Sequence, residues 1–142
     1  MGVKLGADEM RYIAFFESMT GARVVDCVLN EGGNKITFVV RKGDIGLAIG
    51  KGGIKIQKAR RVMGKSIEVI QHSEDPVEFM KNVFAPAKIK EVNIVDREDK
   101  KVALVEVDAS DKGLAVGRGG QNIQRARTLA LRHHGINDVS LM

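Results

Sequence analysis

Two glycine-rich tetrapeptides carry a cation at the same place. They are Gly50-Lys51-Gly52-Gly53 and Gly117-Arg118-Gly119-Gly120. Glycines let a backbone turn sharply and come close to a ligand with no Cβ in the way. A helix that starts just after such a turn offers free N–H groups and positive dipole character to an anion. Lys51 and Arg118 add a full positive charge. This is chemistry for holding a phosphate backbone. Ile49 and Val116 before the loops, and Ile56 and Ile123 after them, are apolar flanks. They can pack a core and line a shallow groove where bases lie.

The tetrapeptides belong to a longer repeat. Asp44–Arg60 reads DIGLAIGKGGIKIQKAR and Asp111–Arg127 reads DKGLAVGRGGQNIQRAR, with 11 of 17 positions identical at a constant offset of 67 residues. Ile49/Val116, Lys51/Arg118 and Lys58/Arg125 are like-for-like exchanges. An internal repeat near half the chain length means two structural modules. Their boundary is expected near residue 73, giving modules over 1–73 and 74–142. Modules of about 70 residues have thin cores.

Charge follows the repeat. The net charge is +5 over 142 residues. Lys51–Lys65 holds six Lys or Arg and no acid, and Lys112–His134 holds five and no acid. The remainder carries 12 basic against 18 acidic residues. Two matched basic runs, each attached to a Gly-rich loop on an acidic background, point to a polyanion site.

Competing motifs fail on spacing. A Walker A loop needs four residues between its first Gly and Gly-Lys, followed by Ser or Thr. Gly46 to Gly50 leaves three, and Gly52 follows Lys51. A dinucleotide fingerprint must follow a strand directly, whereas a helical segment is expected here. The Gly46/Gly50 and Gly113/Gly117 pairs lack the apolar 20-mer of a membrane-helix dimer motif. Helix termination or close helix contact fits them better.

The elements that must position the loops are legible in outline. Ala7–Met19 has helical spacing, with Met10, Ile13 and Phe16 as its apolar side. Arg23–Leu29 and Lys35–Arg41 flank Asn30-Glu31-Gly32-Gly33 as a β-hairpin. Asp44 is placed to cap a short helix to Ile49. A longer helix is expected from Ile54 to about Met63, stopped by Gly64, and then a strand over Ser66–Ile70. Asp75 and Pro76 open the second module's first helix, to about Phe84. Strands follow over Ile89–Val95 and Lys101–Val107, joined by a turn over Asp96–Lys100. Asp111 is placed to cap a helix to Val116. A helix from Gln121 to about His134 and a strand over Val139–Met142 complete the order α-β-β-α-α-β in each half.

That order, with Ile-Gly-x-x-Gly-x-x-Ile between two helices, resembles the KH domain in its type II topology. The resemblance implies an α+β fold of two tandem units, each a three-stranded sheet packed with helices. In KH domains the loop clamps the backbone of about four single-stranded nucleotides. Carried over by position, the clamp is Gly50, Lys51, Gly52 and Gly53 in the first unit, lined by Ile49 and Ile56. In the second it is Gly117, Arg118, Gly119 and Gly120, lined by Val116 and Ile123. Lys55, Lys58, Gln121, Asn122 and Arg125 are added from their helix positions. The tandem pair also resembles the KH portion of the NusA family of transcription elongation and termination factors, in its short archaeal form.

The expected function is therefore single-stranded RNA binding in transcription termination or antitermination. The alternative is a KH-type rRNA-binding or ribosome-assembly protein. RNA polymerase or other transcription factors are candidate partners through the resemblance. No catalytic set, cofactor, metal site or small-molecule substrate is expected. His133 and His134 are adjacent and so point to different helix faces. Cys27, the single cysteine, lies in the apolar run VVDCVL and reads as a small buried hydrophobe. Met10, Met19, Met63 and Met80 read as core filler. No apolar run reaches the ~18 residues of a membrane span, and MGVKLG carries no signal-peptide or myristoylation pattern. A cytoplasmic location is expected.

Overall fold

The computed structural model describes residues 5–30 and 32–142. The readings made on Met1–Lys4 and on Glu31 lie outside the described residues. The chain forms two compact units, one ending at Ser73 and the other starting at Glu74.

The first unit runs α1 (Ala7–Thr20), β1 (Val24–Leu29), β2 (Lys35–Val40), α2 (Ile45–Ile49), α3 (Ile54–Met63) and β3 (Ser66–Gln71). The second runs α4 (Pro76–Phe84), β4 (Ile89–Arg97), β5 (Lys100–Val107), α5 (Lys112–Val116), α6 (Gln121–His134) and β6 (Asp138–Leu141). Each unit has a three-stranded sheet, ordered β1-β2-β3 or β4-β5-β6. The first pair in each is antiparallel and the second is parallel. A parallel pair needs a crossover. Here the crossover holds the Gly-rich loop, so the sheet fixes both ends of the segment that carries it.

Alternation along β2 puts Ile36, Phe38 and Val40 on one face. They are buried with Phe16, Ile56 and Ile67 in the first unit's core. Phe16 stacks on Phe38 with ring centroids 4.2 Å apart and planes 11° from parallel. In the second unit the buried residues include Phe79 and Val83 of α4, Val105 of β5 and Leu129 of α6. The repeat supplies small residues at equivalent helix positions: Ala48 and Ala59, then Ala115 and Ala126, all buried. A side chain this small lets helix backbones approach closely. Met80 is fully buried, and Met19 and Met63 pack against the first core. Cys27 is buried. The adjacent His133 and His134 do not point to separate surroundings as expected: both rings pack on that of Phe79 of α4, at 5.3 and 5.1 Å.

Several local expectations need correction. Met10 is 60% exposed and fills no core. The buried side of α1 is centred on Phe16 and Thr20, four residues apart, and Met10 falls about 100° off that centre at 100° per residue. Asp44 and Asp111 occupy the N-cap positions of α2 and α5, yet neither side chain caps its helix. Each carboxylate instead accepts from the backbone N–H just ahead of its unit's first strand. Arg23 N–H lies 2.9 Å from Asp44 and Lys88 N–H 2.8 Å from Asp111. The β4–β5 turn is shorter than expected. The strands continue to Arg97 and restart at Lys100, leaving Glu98 and Asp99 as the turn. Both have positive φ, 49° and 65°, as a two-residue type I′ hairpin requires. Asp75 caps α4 as expected, accepting from Val77 N–H, with Pro76 in the first turn.

Removing the Phe38 ring should leave a cavity under Phe16. Phe38→Ala is expected to cost about 3–5 kcal/mol, measurable by urea unfolding of the full chain. Asp44 gives a pH signature. The Arg23 N–H bond holds its carboxyl below the usual carboxylate range, burial opposes this, and the Arg41 guanidinium adds to the lowering. A depressed carboxylate stabilises the fold above its unfolded pKa of about 3.9, and that stabilisation is lost as pH falls through the lower folded value. Asp44→Ala should therefore melt at a lower temperature at neutral pH. The gap should close only below about pH 4.

Candidate nucleic-acid interface

The two loops have the same backbone. Gly50 sits at φ 77°, ψ 167° and Gly117 at 78°, 167°. Gly52 and Gly119 are at 64°, 18° and 62°, 20°. Gly53 and Gly120 are at 78°, 15° and 77°, 15°. Three of the four residues in each loop thus occupy the left-handed half of conformational space, where side chains are penalised. Gly50 N–H donates to Gly46 O at 2.9 Å and Gly117 N–H to Gly113 O at 2.9 Å, ending α2 and α5. Gly53 and Gly120 N–H then bond back to Gly50 and Gly117 O. Among the described residues, the N–H groups of Lys51, Gly52, Arg118 and Gly119 have no backbone acceptor. They are donors available to an anion.

The first glycine is also sterically required. A Cβ on Gly50 would lie 2.8 Å from Lys55 Cγ and 3.0 Å from Lys55 N, and one on Gly117 would lie 2.7 Å from Asn122 Cγ. A Cβ on Gly52 or Gly119 would meet nothing within 4 Å. That side of the loop is open.

The cations divide into two groups. Lys51, Lys58 and Arg118 are exposed and make no hydrogen bond or ion pair among the described residues. Lys55 and Arg125, both expected to face phosphate, are half-buried and engaged within their own units. Lys55 Nζ donates to Thr20 O at 3.0 Å, at the C-terminus of α1. Arg125 Nη2 donates to Val83 O at 2.7 Å, near the C-terminus of α4. Each places a positive charge at the negative end of a helix. Asn122 is engaged too. Its Nδ2 donates to Leu114 O at 2.8 Å and its Oδ1 accepts from Arg125 Nη1 at 3.2 Å. Gln121 is exposed.

The apolar flanks divide likewise. Ile49 and Val116 are exposed. Ile56 is not groove lining: it is 8% exposed and belongs to the core. It shares the inner face of α3 with Ala59, three residues on. Ile123 is half-buried. Sequence reasoning missed Leu47 and Leu114, which are 46% and 48% exposed on the helices leading into the loops. The signal was present, since both are leucines at the 67-residue offset. Ile54, at the start of α3, is 66% exposed, where the second unit has Gln121. Among the described residues, no three His, Cys, Asp or Glu side chains gather to hold a metal ion.

A glycine clamp between two helices, on a sheet of this strand order, defines a KH-domain protein with two units. Residues 10–84 match the KH domain, and residues 76–138 match the NusA-like second KH domain. A probable transcription termination protein NusA of Methanococcus vannielii is 38% identical over 142 residues, spanning 100% of this chain and 81% of that one. Its counterpart from Halobacterium salinarum is 35% identical over 141 residues, 99% of each chain. A crystal structure of a protein designated APE1850 matches with a TM-score of 0.82 at 37% identity, covering 97% of this chain and 100% of that one. The chain belongs to the NusA family.

The two kinds of glycine should respond differently to substitution. Gly52→Ala meets only the strain of its positive φ, about 1 kcal/mol. Gly50→Ala meets that strain and the Lys55 backbone as well, and should lose about 2–4 kcal/mol. Thermal melts of the two single variants check the order, and equal losses would contradict the geometry.

Proposed function

We propose that this protein is a transcription termination factor that works by gripping single-stranded RNA at two matched loops. One observation carries the reading: two loops of the same dihedral angles each present free N–H groups and an uncommitted cation on an open face. The phosphodiester backbone would lie against Lys51–Gly53 in the first unit and Arg118–Gly120 in the second. Gly50 and Gly117 hold the approach open from beneath. Leu47, Ile49 and Ile54, and in the second unit Leu114 and Val116, supply apolar surface for bases. Lys58 adds charge along α3, and Gln121 offers a hydrogen-bonding amide.

The protein acts by binding, not by catalysis, in the cytoplasm. No helix among the described residues is long and apolar enough to cross a membrane. RNA polymerase is the proposed protein partner, supported by the termination-protein names of the relatives. No feature of the two loops favours the ribosomal alternative.

With three exposed cations engaged, log affinity against log salt should have a slope of about −2, from ~0.7 per neutralised phosphate on a single strand. Counting Lys55 and Arg125 as contacts would steepen it to about −3.5. Binding should prefer a single strand to a duplex of equal length, because the clamp takes splayed nucleotides. Lys51→Asp/Gly52→Asp combined with Arg118→Asp/Gly119→Asp should abolish binding while circular dichroism stays folded. Tight binding by that folded variant, or an equal grip on duplex, overturns the proposal.

A further inference from the structure

The two loops share a backbone but not their support. In the second unit Asn122 joins three elements. Its Nδ2 bonds to Leu114 O on α5, its Oδ1 takes a hydrogen bond from Arg125, and Arg125 reaches Val83 O on α4. Asn122 itself stands on α6, directly beneath Gly117, where a Cβ would fall 2.7 Å from its Cγ. Both arms of the loop are therefore tied together by one amide. In the first unit Lys55 holds the matching place beneath Gly50. Its ammonium passes the loop and bonds instead to Thr20 O on α1. That anchors α3 to α1 but leaves α2 unlatched by this residue.

We infer that Asn122 is a positioning residue that preorganises the second loop for RNA, and that Arg125 acts through it and not on phosphate. The inference rests on the loop-clamp reading above. A loop held in its bound shape loses less conformational freedom on binding, and that difference appears as affinity. The first loop, without the amide latch, orders more of itself when RNA arrives. The two grips differ in stiffness although their glycines and loop cations match.

The test uses the full chain with its first loop disabled by Lys51→Asp/Gly52→Asp, so that binding reports the second. The probe is an unstructured single-stranded RNA of about 12 nucleotides, room for two clamps of about four. Asn122→Ala should weaken binding about fivefold and speed amide exchange at Arg118 and Gly119. Arg125→Gln should also weaken binding, with the salt slope unchanged. An Arg125 that touched phosphate would instead lower the slope by about 0.7. Weaker binding by Asn122→Ala with unchanged amide exchange would mean that Asn122 touches RNA itself, overturning the positioning role. Unchanged affinity would overturn it too, provided that Arg118→Asp/Gly119→Asp still abolishes binding. If that loop variant binds as before, the clamp reading falls instead. A melting curve for each variant establishes that it is folded.

Discussion

Everything at this surface depends on a run of left-handed glycines that a helix must follow at once. Gly50, Gly52 and Gly53 leave the right-handed region, and Ile54 returns to it at φ −64°, ψ −37°. A loop with that much conformational freedom in the unfolded chain is costly to order. It is defined only if both flanking helices are fixed. The core fixes them. Ala48 of α2 and Ile56 and Ala59 of α3 are buried in the same cluster as Phe38. The far end of α3 is tied by Arg60, which donates to Ile67 O of β3 at 3.0 Å. In the second unit Arg127, at the matching place in the repeat, donates to Val139 O of β6. The sheet thus holds the helix and the helix holds the loop.

This division of labour changes what the basic runs mean. A count of Lys and Arg treats every cation as reach toward a polyanion. Arg60 and Arg127 face a strand, and Lys55 and Arg125 face the carbonyls that end a helix. Last-turn carbonyls lack intrahelical partners and carry partial negative charge, so an intrachain cation satisfies them well. Lys51, Lys58 and Arg118 remain outward among the candidates, and Arg61 and Lys112 of the same runs are also exposed. Outward cations beside exposed aliphatic side chains suit a strand whose bases are splayed onto the surface.

The sequence made the architecture legible because the repeat tested each element twice. Helix and strand order, the Gly64 stop and the Asp75 cap needed only local signals. Boundaries were harder where tertiary partners intervened. Nothing local in Asp44 or Asp111 shows that the carboxylate will choose a strand's N–H over its own helix, since Arg23 and Lys88 lie more than 20 residues away. The five-residue turn expected over Asp96–Lys100 lacks Gly, and its tightening onto Glu98 and Asp99 is imposed by pairing of Arg97 with Lys100. For the loops, glycine spacing was enough to place the turn between two helices. Which cation reaches outward was not legible, because helical spacing puts positions 55 and 58 one turn apart on neighbouring faces. Only the location of the α1 and α4 C-termini separates them.

The same one-turn exchange shows how a duplicated unit can drift without losing its fold. The first unit meets the helix carbonyl with Lys55 and leaves Lys58 exposed. The second meets it with Arg125, at the place of Lys58, and puts Asn122 where Lys55 stands. One anchoring cation is kept in each case, so the end of the first helix is satisfied in both units. The net effect is to remove one outward charge from the second unit and to add an amide at its loop. Charge neutralised on phosphate gives affinity that fades with salt. An uncharged latch gives affinity that does not, because it acts on the shape of the loop and not on the strand. On the loop-clamp proposal, two units joined in one chain would share the binding unequally, the second with the more ordered loop.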